Sequence, residues 1–208
     1  MRTLKTLIAV LAGVVPVSVL ANTPLADLQH DWSVCQYQTL EANKESCFST
    51  LSQRAHDASH ARNNDDATLL IWSGIIDSSW AGAKGGLGAL SLVKQARTSF
   101  EKSIAIDPNA LEGSAWTSLG ALYYQVPGWP IGFGDKEKAA EMLKKALAIN
   151  PDGIDTNYFY GDFLLKEGKV DEAKRYLEKA LHAPARPGRD IADSGRHRDI
   201  AKALATIQ

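Results

Sequence analysis

His56 and His60, four residues apart, are the first places in this chain where residue type and spacing could do chemistry. On a helix that offset puts both imidazoles on one face, where they could share a metal ion. The helical metalloprotease pattern needs a glutamate directly after the first histidine. Asp57 takes that place here, so no metal site is assigned. His30, His182 and His197 have no nucleophile or acid–base partner in a recognisable motif, so no catalytic residue and no cofactor are assigned either. Gly82, Gly85, Gly86 and Gly88 with Lys84 fit neither phosphate-loop pattern and follow no strand. They read as a flexible turn, although amides opening the next helix could still hold a carboxylate.

Arg2 and Lys5 precede an apolar run from Leu7 to Leu20, and Val19 and Ala21 place small side chains where a signal peptidase reads. Residues 1–21 are therefore expected to be a cleaved signal peptide, with the mature chain starting at Asn22 and residing in the periplasm or outside the cell. Pro16 interrupts the run, which falls short of a typical bilayer span, so no membrane span is expected after cleavage. In such an oxidising compartment Cys35 and Cys47, the only two cysteines, are expected to close a structural disulfide. The loop closed would stabilise the fold by roughly 3 kcal/mol on a chain-entropy estimate. The rival use, a redox or metal pair, normally needs the much closer Cys-x-x-Cys spacing.

Charged residues make up 23% of the chain, the balance of a soluble helical protein. Without Arg2 and Lys5, 21 basic residues face 24 acidic ones, so no strong basic field exists to recruit nucleic acid. The one basic cluster, Arg186, Arg189, Arg196 and Arg198, is interleaved with Asp190, Asp193 and Asp199. It reads as a solvated, salt-bridged face on a final helix from about Ala192 to Ile207.

The elements that position these residues show in the helical stripes. Trp116, Leu119, Gly120 and Tyr123 recur at offsets of three, four and seven, where glycine lets a neighbouring helix approach closely. Ala139, Leu143 and Ala146 form a second stripe, which stops at Asn150-Pro151 because proline cannot extend a helix cheaply. Gly161, Leu164, Gly168, Ala173, Leu177 and Ala180 repeat the pattern, with Asn157 in place of the tryptophan. Gly74, Ala96, Phe100 and Pro108 make a weaker third copy, led by Leu70.

These stripes resemble the tetratricopeptide repeat family. The resemblance implies an all-α solenoid of about nine helices in one domain, residues 22–208. Its parts are an amino-terminal helical hairpin (22–66), three repeats (67–112, 113–153 and 154–187) and a carboxy-terminal capping helix (188–208). Two insertions separate the paired helices, Ser79 to Gly88 and Val126 to Asp135. With the Gly-Gly-rich first insertion and Pro-Gly-Trp-Pro-Ile-Gly-Phe-Gly-Asp in the second, residues 66–200 look like the periplasmic tetratricopeptide component that accompanies TRAP-type transporters. The chain departs from that component in being shorter and in lacking a lipid-attachment cysteine after Ala21.

The resemblance implies a non-catalytic module that holds a protein partner, in this case one assisting a periplasmic substrate-binding or transport system. The inner face would present Thr117, Ala121, Tyr124 and Gln125 from one repeat and Asp155, Tyr158, Asp162 and Lys166 from the next. Tyr124 and Tyr158 read as binding contacts or, slightly favoured for each taken alone, as packing between repeats. Trp80, Trp129, Ile131 and Phe133 are costly to leave in water on glycine-rich insertions. Either they fold back to plug the edge of the solenoid, or they rim a binding surface. A second expectation, from another class, is a carrier whose chamber for a small apolar ligand is closed by Trp80, Trp129 and Phe133.

Overall fold

The computed structural model describes residues 23–207, so the expected signal peptide lies outside the described residues. Nine helices occur among them: α1 (Pro24–Tyr37), α2 (Glu41–His60), α3 (Ala67–Lys84), α4 (Ala89–Ile106), α5 (Ala110–Gln125), α6 (Lys136–Ile149), α7 (Ile154–Lys166), α8 (Val170–Leu181) and α9 (Asp190–Ala205). None of these helices is long and apolar enough to cross a membrane.

Local chemistry sets the boundaries. Pro24 opens α1 behind Thr23, whose hydroxyl accepts from the Ala26 amide, while Asp66 caps α3 and Asp135 caps α6. Gly85 ends α3 and Gly168 turns α7 into α8, both at positive φ that a side chain would resist. A departure from regular geometry opens α5. Leu111, Glu112 and Gly113 run left-handed before the right-handed helix begins. For two residues with side chains this conformation is strained.

Consecutive helices pair into hairpins, α1 with α2, α3 with α4, α5 with α6 and α7 with α8. Each repeat pair is fixed by one glycine on its first helix facing one large side chain on its second. A Cβ added to Gly74 would come within 2.5 Å of the Phe100 ring, one on Gly120 within 2.7 Å of Leu143, and one on Gly161 within 2.8 Å of Leu177. The stripes found in the sequence are therefore the close-packing seams of successive hairpins. The tryptophan heading the middle stripe is not core. Trp116 is half-buried, donates its Nε1–H to the Pro108 carbonyl at 2.9 Å and lies under the Lys145 ammonium. Asn157, its counterpart, makes a similar backward bond to the Pro151 carbonyl at 2.8 Å, which explains how an amide can replace an indole there.

Cys35 and Cys47 form a disulfide that ties α1 to α2, with 5.7 Å between their Cα atoms. The first insertion differs from the expected loop. Residues 79–84 continue α3, leaving only 85–88 between the helices. Gly82 is the single weak helix former in that stretch, and its cost of about 1 kcal/mol is small against tertiary packing. Ser79 is held there by its own bond to the Ile75 carbonyl and by the indole N–H of Trp32, which donates to it at 2.8 Å.

The odd-numbered helices form the inner layer, α1 touching α3, α3 touching α5, α5 touching α7 and α7 touching α9. Helix α9 also packs on α1. Five inner helices thus close on themselves, and the face that is an open groove in a plain array becomes the wall of a chamber.

Candidate functional site

The chamber has a volume of about 950 Å³ and draws its walls from α1 to α5, α7, α9 and the segments before α7 and α9. One side is aromatic: Trp32 and Trp72 meet edge to face at 5.7 Å, and Tyr158 and Phe159 do so at 5.1 Å. Beside these rings the wall is ionic. Arg186 donates to Asp155 at 2.5 Å and to Asp193 at 2.6 Å, and Arg196 donates to Asp155 at 2.7 Å and to Asp199 at 3.1 Å. The two guanidiniums hold the Asp155 carboxyl far below the usual carboxylate range, overcoming a burial that acts the other way. The Asp155 carboxylate likewise raises Arg196 against its own burial. Arg196 also lies over the Tyr158 ring at 4.4 Å, so the ionic and aromatic walls meet at that residue.

This arrangement corrects one expectation. Arg186 and Arg196 are salt-bridged as expected, yet with Arg189 they face the chamber, and Arg196 and Asp193 are buried rather than solvated. The reason is tertiary: α9 has an outside only if α1 is elsewhere, and α1 covers it.

The residues expected on the inner face divide into two groups. Thr117, Ala121, Gln125, Asp155 and Tyr158 line the chamber. Tyr124, Asp162 and Lys166 form a separate cluster between α5 and α7. There the Tyr124 hydroxyl donates to Asp162 at 2.7 Å, accepts from the Gln125 amide at 3.2 Å, and the Lys166 ammonium sits 4.7 Å above the ring. Burial, with Asp162 beside it, pushes the Tyr124 hydroxyl well above its ordinary range. These contacts bind one repeat to the next.

The aromatic residues of the two insertions also separate. Trp80 is on α3, half-buried, with the Lys84 ammonium 5.8 Å from its ring. Phe133 folds back against Tyr123, edge to face at 5.7 Å, under the Arg97 guanidinium at 5.2 Å. Trp129 stays 90% exposed and Ile131 61% exposed at the tip of the same loop. The loop is internally tied. The Gly134 amide donates to the Pro127 carbonyl at 3.0 Å, and the Asp135 amide donates to the Tyr123 carbonyl at 2.8 Å. Gly132 and Gly134 have no room for a Cβ beside the Val126 and Pro127 carbonyls. None of Trp80, Trp129, Ile131 and Phe133 lines the chamber, so the expected closure of a cavity by Trp80, Trp129 and Phe133 is not the arrangement found. The chamber walls lie on the helices, most of them at positions without a motif: Trp32, Trp72, Phe159 and Arg189 carried no sequence signal for a site.

The histidine pair separates as well. His56 Nε2 lies 3.0 Å from Asp77 Oδ2, and Asp77, fully buried, also accepts from the Ser52 hydroxyl at 2.6 Å. His60 instead faces Asn64 at 3.3 Å. Serine, aspartate and histidine stand together here, but the serine bonds to the carboxylate and not to the imidazole, so no base is placed to activate it. The hydrogen bond from the imidazole to Asp77 raises the His56 pKa, burial opposing it.

Residues 131–188, from the middle of the second insertion to the segment before α9, match the sequence model of the tetratricopeptide repeat family. Comparison with curated proteins finds no match. Among solved structures, the crystal structure of MamA is 18% identical over 79% of this chain and 89% of its own, with a TM-score of 0.46. That of TTC0263, a thermophilic TPR protein in Thermus thermophilus, is 16% identical over 88% of this chain and 97% of its own, with a TM-score of 0.45. The chain is an all-α solenoid of helical hairpins, with a tetratricopeptide repeat match over residues 131–188.

Proposed function

We propose that this chain is a non-catalytic, exported protein-interaction module that docks its partner on the loop from Val126 to Asp135. The observation that carries the reading is the division of labour within that loop. Phe133 and the backbone bonds anchor it, while Trp129 and Ile131 are held out in water. A large apolar side chain displayed on a pre-formed loop binds at little ordering cost, and tryptophan is among the strongest interface anchors. A protein partner fits this better than a small ligand, because Trp129 and Ile131 stand exposed and neither lines the chamber. The resemblance read in the sequence names the class of partner, a periplasmic substrate-binding or transport subunit.

The test is a photo-crosslinking residue at position 129 in cells secreting the full chain, beside the double variant Trp129→Ala/Ile131→Ala. A stoichiometric protein adduct, and loss of that same protein from pull-downs of the double variant with an unchanged melting temperature, is the expected result. No adduct, together with undiminished capture by the double variant, refutes the docking role. Export is checked separately by sequencing the amino terminus of the protein released by osmotic shock, which is expected to start at Asn22.

One observation favours a second reading, a carrier of a small ligand. The ring of inner helices surrounds a volume in the upper part of the range typical of ligand pockets, with aromatic walls and a few convergent charges.

A further inference from the structure

Among the six charged groups of the ionic wall, one is left over. Arg186 and Arg196 between them engage Asp155, Asp193 and Asp199, and the backbone amide of Arg186 donates a further bond to Asp193 at 2.8 Å. Arg189 forms no ion pair among the described residues, and its Nε is buried without an acceptor. Its guanidinium lies 4.9 Å from the Trp72 ring. Trp72 is itself 4% exposed, and its indole Nε1, also buried, has no acceptor either. Both residues line the chamber. Buried donors are almost always paired, because an unpaired one forfeits its bond to water without replacement. Two such donors in adjacent residues at one cavity wall point to an acceptor that the chain does not supply.

The other acidic residues of the chamber do not fill that role. Glu41 pairs with Lys44 at 3.0 Å, Asp152 with Lys179 at 3.0 Å, and Glu112 accepts from the Asn150 amide at 2.8 Å. Burial, with the Arg186 cation next in order, pushes the Arg189 pKa down, the mark of a cation whose surroundings lack a matching anion.

We infer that the chamber binds a small carboxylate with an apolar body, its carboxylate on Arg189 with Trp72 beside it and its apolar part along Trp32, Ile75, Leu122 and Phe159. A guanidinium presents a planar fork of donors that matches a carboxylate, and an indole N–H adds one donor more. Ile75 and Leu122, with the rings of Trp32 and Phe159, give the remaining wall its apolar character. This inference rests on the carrier reading and is independent of the loop at Trp129.

Two probe acids, decanoate and 3-phenylpropionate, are titrated calorimetrically into the mature chain up to about 1 mM, each beside its neutral primary amide. The expected result is that at least one acid binds, and that its amide binds at least about tenfold more weakly, as loss of a charge-assisted bond requires. Arg189→Gln is expected to weaken the acid by about tenfold or more, Trp72→Phe by less, and Arg189→Lys by less than the Gln change, because the charge stays while the planar fork is lost. Because Arg189 gives up no ion pair, the Gln variant is expected to melt no lower than the parent, whereas a purely structural Arg189 would lower the melting temperature. Equal binding of acid and amide overturns the carboxylate assignment and leaves the carrier standing. No binding of any of the four probes overturns both. A protein adduct at position 129 is unaffected by either outcome.

Discussion

The Tyr37 hydroxyl donates to Asp199 at 2.9 Å, joining the first described helix to the last across 162 residues of sequence. Beneath that bond the Tyr37 ring packs on Gly195 so closely that a Cβ there would fall inside it. Closure of the inner ring of helices depends on this contact. Gly195→Val is expected to cost about 1–3 kcal/mol through overpacking, a fall of about 2–12 °C in melting temperature for a chain of this size. Tyr37→Phe, which keeps the ring, is expected to cost about 1 kcal/mol. Thermal melts followed by circular dichroism check both, and an unchanged melting temperature for Gly195→Val would show that α9 does not close on α1.

Asp155 bridges Arg186 and Arg196 with its carboxyl well below the ordinary range. Its folded pKa lies below its unfolded one, so its stabilisation is complete above about pH 4 and fades as pH falls toward the folded value. Asp155→Asn is expected to destabilise by about 2 kcal/mol at pH 7, less than a fully buried pair because the carboxylate keeps 32% exposure. Urea titrations between pH 7 and pH 3 are expected to show the variant's deficit shrinking as Asp155 protonates in the unfolded chain. A deficit independent of pH contradicts the assignment.

His56 behaves in the opposite sense. Its pKa is raised in the folded chain by the bond to Asp77, so its stabilisation is fully present below the ordinary histidine value of about 6.5 and is lost as pH rises through the folded one. His56→Gln is expected to lose more stability relative to wild type at pH 5.5 than at pH 8.5, read from denaturant midpoints. Equal losses at the two pH values would mean that folding does not shift the imidazole pKa.

The glycines separate by what surrounds them. Gly120→Ala forces a Cβ to within 2.7 Å of Leu143 and is expected to cost about 1–3 kcal/mol. Gly82, inside α3 with nothing within 4 Å of its missing Cβ, is expected to stabilise the chain by about 0.5–1 kcal/mol when changed to alanine. Chemical denaturation of both variants decides the matter, and a stabilised Gly120→Ala would refute the close seam between α5 and α6.

The hairpins were legible because their signals are local. Gly74, Gly120 and Gly161 each stand at a fixed helical offset from their neighbours, and proline or capping residues mark where helices begin and stop. In the Ser79–Gly88 stretch, residues 79–84 read as loop because Gly82 and its neighbours look like a turn, yet they continue α3, where Ser79 accepts a bond from Trp32, far away in sequence. Tyr124 was legible as an inner-face candidate, but its place between α5 and α7 depends on Asp162, one repeat further on.

The sequence by itself determined the all-α class, the pairing of helices into hairpins and the pairing of Cys35 with Cys47, since each rests on spacing within a few turns of chain. Only the tertiary structure decided that the inner face walls a chamber and that Arg189 stands in that wall with no ion pair among the described residues. Small rotations between successive hairpins add up over the array, and whether the sum brings α9 onto α1 is written in no single repeat. Once it does, an arginine cluster that would otherwise face water is turned inward, and its charges acquire the chemistry of a site.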